Sequence, residues 1–396
     1  MKNFNIIGIL TYIFMAIGIS PLSSSIYGYN IKLPFLLVGI LLLWNTDKNM
    51  KRIINRSLSQ QRMKLMIGFL SVMAVLGLIT GGDIMPVILD FMAIFFFFLF
   101  FWQNSREENE AMLLYDFIEK FFIAITFYEL AVIYTGISES AALDEIRVIN
   151  LAVCPFTLAM ICLYRGKVFW SLLFLAICVY LTVRCAMRIN FLFPILYLLF
   201  LLYTIFRNKN VSIFKKFLLV GFIASATVAV IPLVQAYIEA DGSRYLHMVK
   251  RTEEMFDEDE SDDTRENTNM LIINEATDFV LPQGIGYANH TPRIMRLYRS
   301  KYGVMSTMDS NLFYCVYHFG LFIGLGIIIL IFYQGFKAFV QNIKHLGSSE
   351  IFMASCFIIT VLFMFALKSW IFVYSSFGLT YGLLYAYAKN ILKFKA

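Results

Sequence analysis

Apolar runs of about 14 to 25 residues follow one another along almost the whole chain, separated by short polar connections. That length suits a helix crossing a bilayer, which needs roughly 20 residues. The runs are apolar throughout rather than along one face of a 3.6-residue period, which excludes a soluble core and leaves a polytopic membrane protein. About twelve can be counted, at 4–20, 31–44, 65–81, 84–102, 118–136, 149–164, 167–183, 189–206, 214–237, 309–333, 350–366 and 369–388. The second is short for a span and is expected to lean on its neighbour or to begin earlier, near Tyr27, with Pro34 in its first turn. Met1–Ile19 has the look of a signal peptide, Ala16-Ile17-Gly18 mimicking a cleavage site, although an uncleaved first span suits such a chain better. The predicted fold is all-α, with transmembrane helices in 1–238 and 309–396 and one long polar stretch, 239–308, between them.

Composition agrees with this reading. Hydrophobic residues make up 59% of the 396 and charged residues 15%, against about 25% charged in soluble domains. The net charge of +6 does not point to nucleic acid, because the basic residues lie mostly between apolar runs, where orientation signals belong. Six cysteines (Cys154, Cys162, Cys178, Cys185, Cys315, Cys356) sit in or beside apolar runs without metal-ligand spacing, so they read as small packing residues.

Orientation follows from the cations. Alternate connections carry Lys48, Lys51, Arg52, Arg56, Arg62 and Lys64; Arg165 and Lys167; Arg207, Lys209, Lys215 and Lys216; Lys337 and Lys344; and Lys389, Lys393 and Lys395. The opposite short connections have only Lys32, Arg147 and Lys368, besides one pair treated next. The connection 103–117 is acidic and votes weakly. Both termini are expected in the cytoplasm and the long stretch outside. No nucleotide sugar is available there, so a reaction on that face must use energy already stored in its substrate.

The pair is Arg184 and Arg188, on the outer side among apolar residues, where cations disfavour insertion. Four-residue spacing on a helix sets them about 40° apart on one face. Two guanidinium groups so placed can grip a pyrophosphate; snorkelling to lipid headgroups or pairing with acids would explain them equally. Asp90 and Glu129, in the outer parts of their runs, are candidates for such pairing or for a direct role.

The long stretch begins acidic, from Glu253 to Glu266. Asp257-Glu258-Asp259 could suggest a metal-bound motif, but that motif serves nucleotide sugars, and no metal is expected. Arg265 is the lone cation of this region. Residues 264–280, which include Glu275, read as a helix with Ile272, Ala276 and Phe279 along one side. Leu281-Pro282-Gln283-Gly284-Ile285-Gly286 breaks it, and its two glycines permit a tight turn and close backbone approach. A basic segment follows, with His290, Arg293, Arg296, Arg299 and Lys301, able to bind a ligand or to neutralise the acidic half. Thr307-Met308-Asp309-Ser310-Asn311-Leu312 leads back into the membrane, Asp309 suiting a helix cap. Gly320 and Gly324 then have the spacing of a small-residue packing seam. On a straight helix Asp309 and Gly320 share a face, about 20° apart, whereas His318 points away.

Arg265, Pro282 to Gly286, Asp309 to Asn311 and Gly320 to Gly324, in this order and topology, resemble the O-antigen polymerase and ligase superfamily, and Arg184 and Arg188 resemble its membrane-edge arginines. The likeness covers about 183–333. Ser310 stands where the ligase branch has a His before Asn, which favours the polymerase branch. His318 departs from the Arg or Glu common at its position.

The resemblance implies a GT-C-like membrane glycosyltransferase in the bacterial inner (plasma) membrane. It would join polyprenyl-pyrophosphate-linked oligosaccharides, as donor and acceptor, into an O-antigen or related surface glycan. Arg184, Arg188 and Arg265 would stabilise the departing pyrophosphate, and Asp309, Glu275 or His318 would serve as base. Arg293, Arg296, Gly284, Gly286 and Asn311 would contact glycan. No cofactor is implied; membrane lipids and a chain-length regulator are the further partners. A ligase with the same donor is one rival reading. A flippase for lipid-linked sugars is another, but it would show repeated halves and short outer loops. A noncatalytic assembly partner is the third.

Overall fold

The computed structural model describes residues 6–21, 32–80, 84–136, 150–184, 188–207, 274, 280–286, 311–367 and 370–395. The described residues form helices and connections, with no strand among them. In chain order the helices are α1 (Ile6–Ile19), α2 (Lys32–Thr46), α3 (Lys48–Ser59), α4 (Gln61–Ile79), α5 (Ile84–Phe101), α6 (Glu108–Thr135), α7 (Val153–Tyr164) and α8 (Val168–Arg184). A 3-10 turn at Arg188–Phe191 leads into α9 (Leu192–Arg207). After the long polar stretch come α10 (Asn311–Phe319), α11 (Leu321–Gln341), α12 (Ser349–Leu367), α13 (Trp370–Val373) and α14 (Ser375–Lys395). Among the described residues, five helical stretches are long and apolar enough to cross a membrane: α4, α5, Ile189–Arg207, α11 and α12. The chain thus has the build of a helical membrane protein. The expected run at 214–237 lies outside the described residues.

Helix boundaries differ from the sequence reading where polar residues do capping work. The basic connection after α2 is itself a helix, α3, started by Asp47, whose carboxylate accepts from the amides of Asn49 (3.0 Å) and Met50 (2.9 Å). It buries Met50 and Ile53 and turns Asn49, Arg52 and Asn55 outward. α6 begins ten residues earlier than its apolar run, because Glu108 and Glu110 suit the positive end of a helix. It ends at Gly136 in the left-handed conformation. α2 starts at Lys32 and leans on α1: Gly18 abuts the backbone of Leu36, and Gly39 that of Met15.

Two expected continuous helices are broken. The run 309–333 divides at Gly320 (φ 79°) into α10 and α11. The chain turns sharply there, so that Gly324 lies against the backbone of Cys315 and Val316. Gly320 and Gly324 therefore do not form one seam on one helix; Asp309, expected to share a face with Gly320, lies outside the described residues. The run 369–388 divides at Tyr374 into α13 and α14.

The core is organised around α14, buried along nearly its whole length from Ser376 to Leu392. It packs against α5, α6 and α12. It carries Thr380, Tyr381, Tyr385 and Asn390 among its buried residues. A helix enclosed by protein need not be as apolar as one facing lipid. The short α7, enclosed from Val153 to Ile161, is in the same position. Gly378 and Gly382 bring α14 onto the backbone of α5, near Ala93 and Phe97.

A Cβ at Gly378 would stand 2.1 Å from the Ala93 carbonyl oxygen. Gly378→Val is expected to destabilise the protein by about 1–3 kcal/mol or more through overpacking. Gly326→Ala, with open space around its Cβ position, should be neutral or gain up to about 1 kcal/mol. Thermal melting in detergent, followed by size-exclusion chromatography, checks both.

Candidate functional site

Residues 280–286 are a non-helical, bent stretch seated against helices, and irregular backbone at such a place needs protein partners for its polar groups. Pro282 brings no N–H. The Gly284 amide donates to the His318 carbonyl (3.0 Å) and the Ile285 amide to the Met73 carbonyl (3.1 Å). The Gly286 amide donates to Asp90 Oδ2 (2.9 Å). The Thr80 hydroxyl donates to the Gln283 carbonyl (2.8 Å). His318 Nδ1 lies 2.7 Å from the Gly284 carbonyl oxygen; a carbonyl only accepts, so Nδ1 carries the proton. The segment is thereby fastened to α4, α5 and α10 at once.

Close approach explains the glycines. Gly284 (φ 86°) and Gly286 (φ 119°) adopt backbone conformations that side chains resist. A Cβ at Gly284 would lie 2.1 Å from the Gly77 nitrogen, and one at Gly286 would lie 2.2 Å from Val87 Cγ2. The partner glycine is Gly77 on α4, whose own Cβ would fall 1.7 Å from the Ile285 carbonyl oxygen. Between them Ile285 is wholly buried.

His318 is buried at the end of α10, with the rings of Tyr314 and Tyr317 at 4.0 and 5.0 Å. The Tyr314 hydroxyl faces Asp90. At the other end of α10 the buried Asn311 amide spans the break between α12 and α13. Its Nδ2 donates to the Phe365 carbonyl (3.2 Å), and its Oδ1 accepts from the Phe372 amide (3.2 Å).

A second buried polar cluster lies at the ends of α1, α6, α7 and α8. Glu129 accepts from the Ser20 hydroxyl (3.0 Å) and the Leu151 amide (2.9 Å). Asn150 donates to the Leu181 carbonyl (3.1 Å) and accepts from the Ala152 amide (2.9 Å) and from Asn190 Nδ2 (3.3 Å). Leu181 and Asn190 flank the expected arginine pair in sequence. The described part of α8 reaches Arg184 and a 3-10 turn starts at Arg188; residues 185–187, which join the pair, lie outside the described residues.

Of the candidate residues, Gly284, Gly286 and His318 come together, with Asp90 joining them. Asn311 sits at the far end of the same short helix. Arg265, Glu275, Arg293, Arg296 and Asp309 lie outside the described residues. Among the described residues, no three His, Cys, Asp or Glu side chains are grouped to hold a metal ion. Sequence reasoning missed Thr80, Gly77, Asn150 and Asn190. The signals were present: an isolated glycine and amides at the edges of apolar runs. No protein-family model matches the chain, and no curated protein matches it.

Asp90→Leu removes the acceptor of the buried Gly286 amide and should cost about 1–3 kcal/mol. Asp90→Asn keeps an oxygen in place and should cost less. Melting temperatures of the two variants test the contact; equal values would count against it.

Proposed function

We propose that the protein is a polyprenyl-pyrophosphate-dependent polysaccharide polymerase, joining lipid-linked oligosaccharide repeats at the outer face of a bacterial inner membrane. The observation that carries this reading is the seating of Pro282–Gly286 on α4, α5 and α10 through Thr80, Asp90 and His318. One of the motifs that together resemble the polymerase and ligase superfamily is thus an anchored part of the helix bundle rather than a surface turn. The helical build with several long apolar helices is compatible with a GT-C-like enzyme whose substrates keep their lipid tails in the bilayer.

The chemistry is a glycosyl transfer. A hydroxyl oxygen of the acceptor sugar bonds to the anomeric carbon of the donor chain, the carbon–oxygen bond to pyrophosphate breaks, and the hydroxyl proton passes to a base or to the departing phosphate. Arg184, Arg188 and Arg265 are the proposed stabilisers of the pyrophosphate charge. Asp309, Glu275 and His318 are the proposed bases, in that order. With Nδ1 donating to Gly284, any proton His318 takes must enter at Nε2. Its hold on the Gly284 carbonyl also makes His318 a positioning residue for the loop.

The test is reconstitution of the purified protein with lipid-linked repeats, with products resolved on a gel. A ladder of lengthened glycans supports the proposal; substrate moved across the bilayer but not extended sinks it and favours a flippase. Arg184→Ala and Arg265→Ala should each lower the rate about 10²–10³-fold, the scale of one lost charge-stabilising donor, with melting temperature unchanged. Wild-type ladders from both would remove the arginines from the mechanism.

A further inference from the structure

We infer that the cleft between α3 and the start of α6 binds the phosphodiester headgroup of an anionic membrane lipid. The cleft has a volume of about 140 Å³ and is lined by Asn49, Arg52 and Arg56 from α3 and by Arg106, Glu107, Asn109 and Glu110 at the start of α6. That is ample room beside the ~10–15 Å³ a single water requires.

Charge in the cleft is unevenly committed. Arg56 pairs with Glu110 at 2.5 Å, and the same carboxylate oxygen accepts from the Arg106 amide at 2.8 Å. Glu110 is therefore occupied within the protein. The Arg52 and Arg106 side chains are exposed and make no ion pair among the described residues. They leave a cationic excess that Glu107 offsets only in part. Two guanidinium forks beside the amides of Asn49 and Asn109 supply the planar donors that phosphate oxygens accept.

Position selects a lipid over a soluble phosphate. Trp44 lies in the last turn of α2, shortly before the cleft, and Lys51 Nζ sits 4.7 Å from its ring centroid. Tryptophan and lysine at the end of an apolar helix mark the level of the headgroups. α3 buries Met50 and Ile53 and exposes Lys48 and Arg52, the build of a helix lying along a membrane surface. Basic pockets between helices at this level suit anionic headgroups. The cleft stands apart from residues 280–286, so the inference does not depend on the proposed enzymatic reading.

The experiment is native mass spectrometry of the full chain in detergent, with phosphatidylglycerol and phosphatidylcholine supplied together. Wild-type protein should retain phosphatidylglycerol preferentially. The double variant Arg52→Gln/Arg106→Gln should lose that retention by roughly fivefold for each cation removed. Asn109→Asp, which adds a carboxylate without removing a cation, should weaken it in the same direction. Arg207→Gln, at a distant cation bonded to Ser349, should leave it unchanged. Wild-type retention by both cleft variants would overturn the inference. So would displacement of the lipid by millimolar inorganic phosphate, which would mark a soluble ligand.

Discussion

Every amide hydrogen removed from water needs an acceptor, and this demand governs how the one long polar stretch can meet the helices. Three consecutive amides, of Gly284, Ile285 and Gly286, find acceptors on α10, α4 and α5 respectively. Side chains satisfy the carbonyls of Gln283 and Gly284. Removing one partner leaves a buried polar group whose desolvation is not recovered. The same demand explains why the carboxylate of Asp90 stands inside an aromatic-rich helix and why the imidazole of His318 lies between tyrosines. These groups allow a non-helical segment to enter a helical protein.

The enclosure of α14 is the complementary constraint. A helix touching protein on all sides can carry hydroxyls and amides that a lipid-facing helix avoids. Asn390, for instance, accepts from the Ser105 amide (3.1 Å) and donates to Gln103 (3.1 Å), fixing the turn after α5. Nearby, Lys393 Nζ reaches the Asn104 side chain and the Ser105 carbonyl. The central helix therefore holds both its packing surface and the connection at one end of its main partner.

Much of the helical plan was legible because bilayer thickness leaves few alternatives to a long apolar run. The turn at Pro282–Gly286 was legible for a local reason: proline and two glycines cannot continue a helix. The partners of that turn were not, since Asp90, Thr80 and Gly77 are about 200 residues away in sequence and nothing local encodes the pairing. The break at Gly320 was hidden because glycine is common in transmembrane helices, and a seam and a hinge share the same letters. α3 was hidden under its own charges: its cations were read as an orientation signal, while Met50 and Ile53 gave it a buried side. Of the candidate chemistry, glycines and a histidine were placed together; the arginine side chains proposed for pyrophosphate are not among the described ones.

Seating the chain at 280–286 also changes the reach of everything attached to it. Within 239–308 the seated residues divide the sequence into parts of about forty and about twenty residues, nearly all outside the described residues. Loop entropy grows only slowly with length, but contour length sets a hard limit. At no more than ~3.6 Å per residue, Arg293 must stay within about 25 Å of Gly286 and Arg296 within about 36 Å. Asp309, two residues from Asn311, stays within about 7 Å of the start of α10 by the same rule. The seated segment, held by Asp90 and His318, thus acts as a mooring for the chain on either side of it.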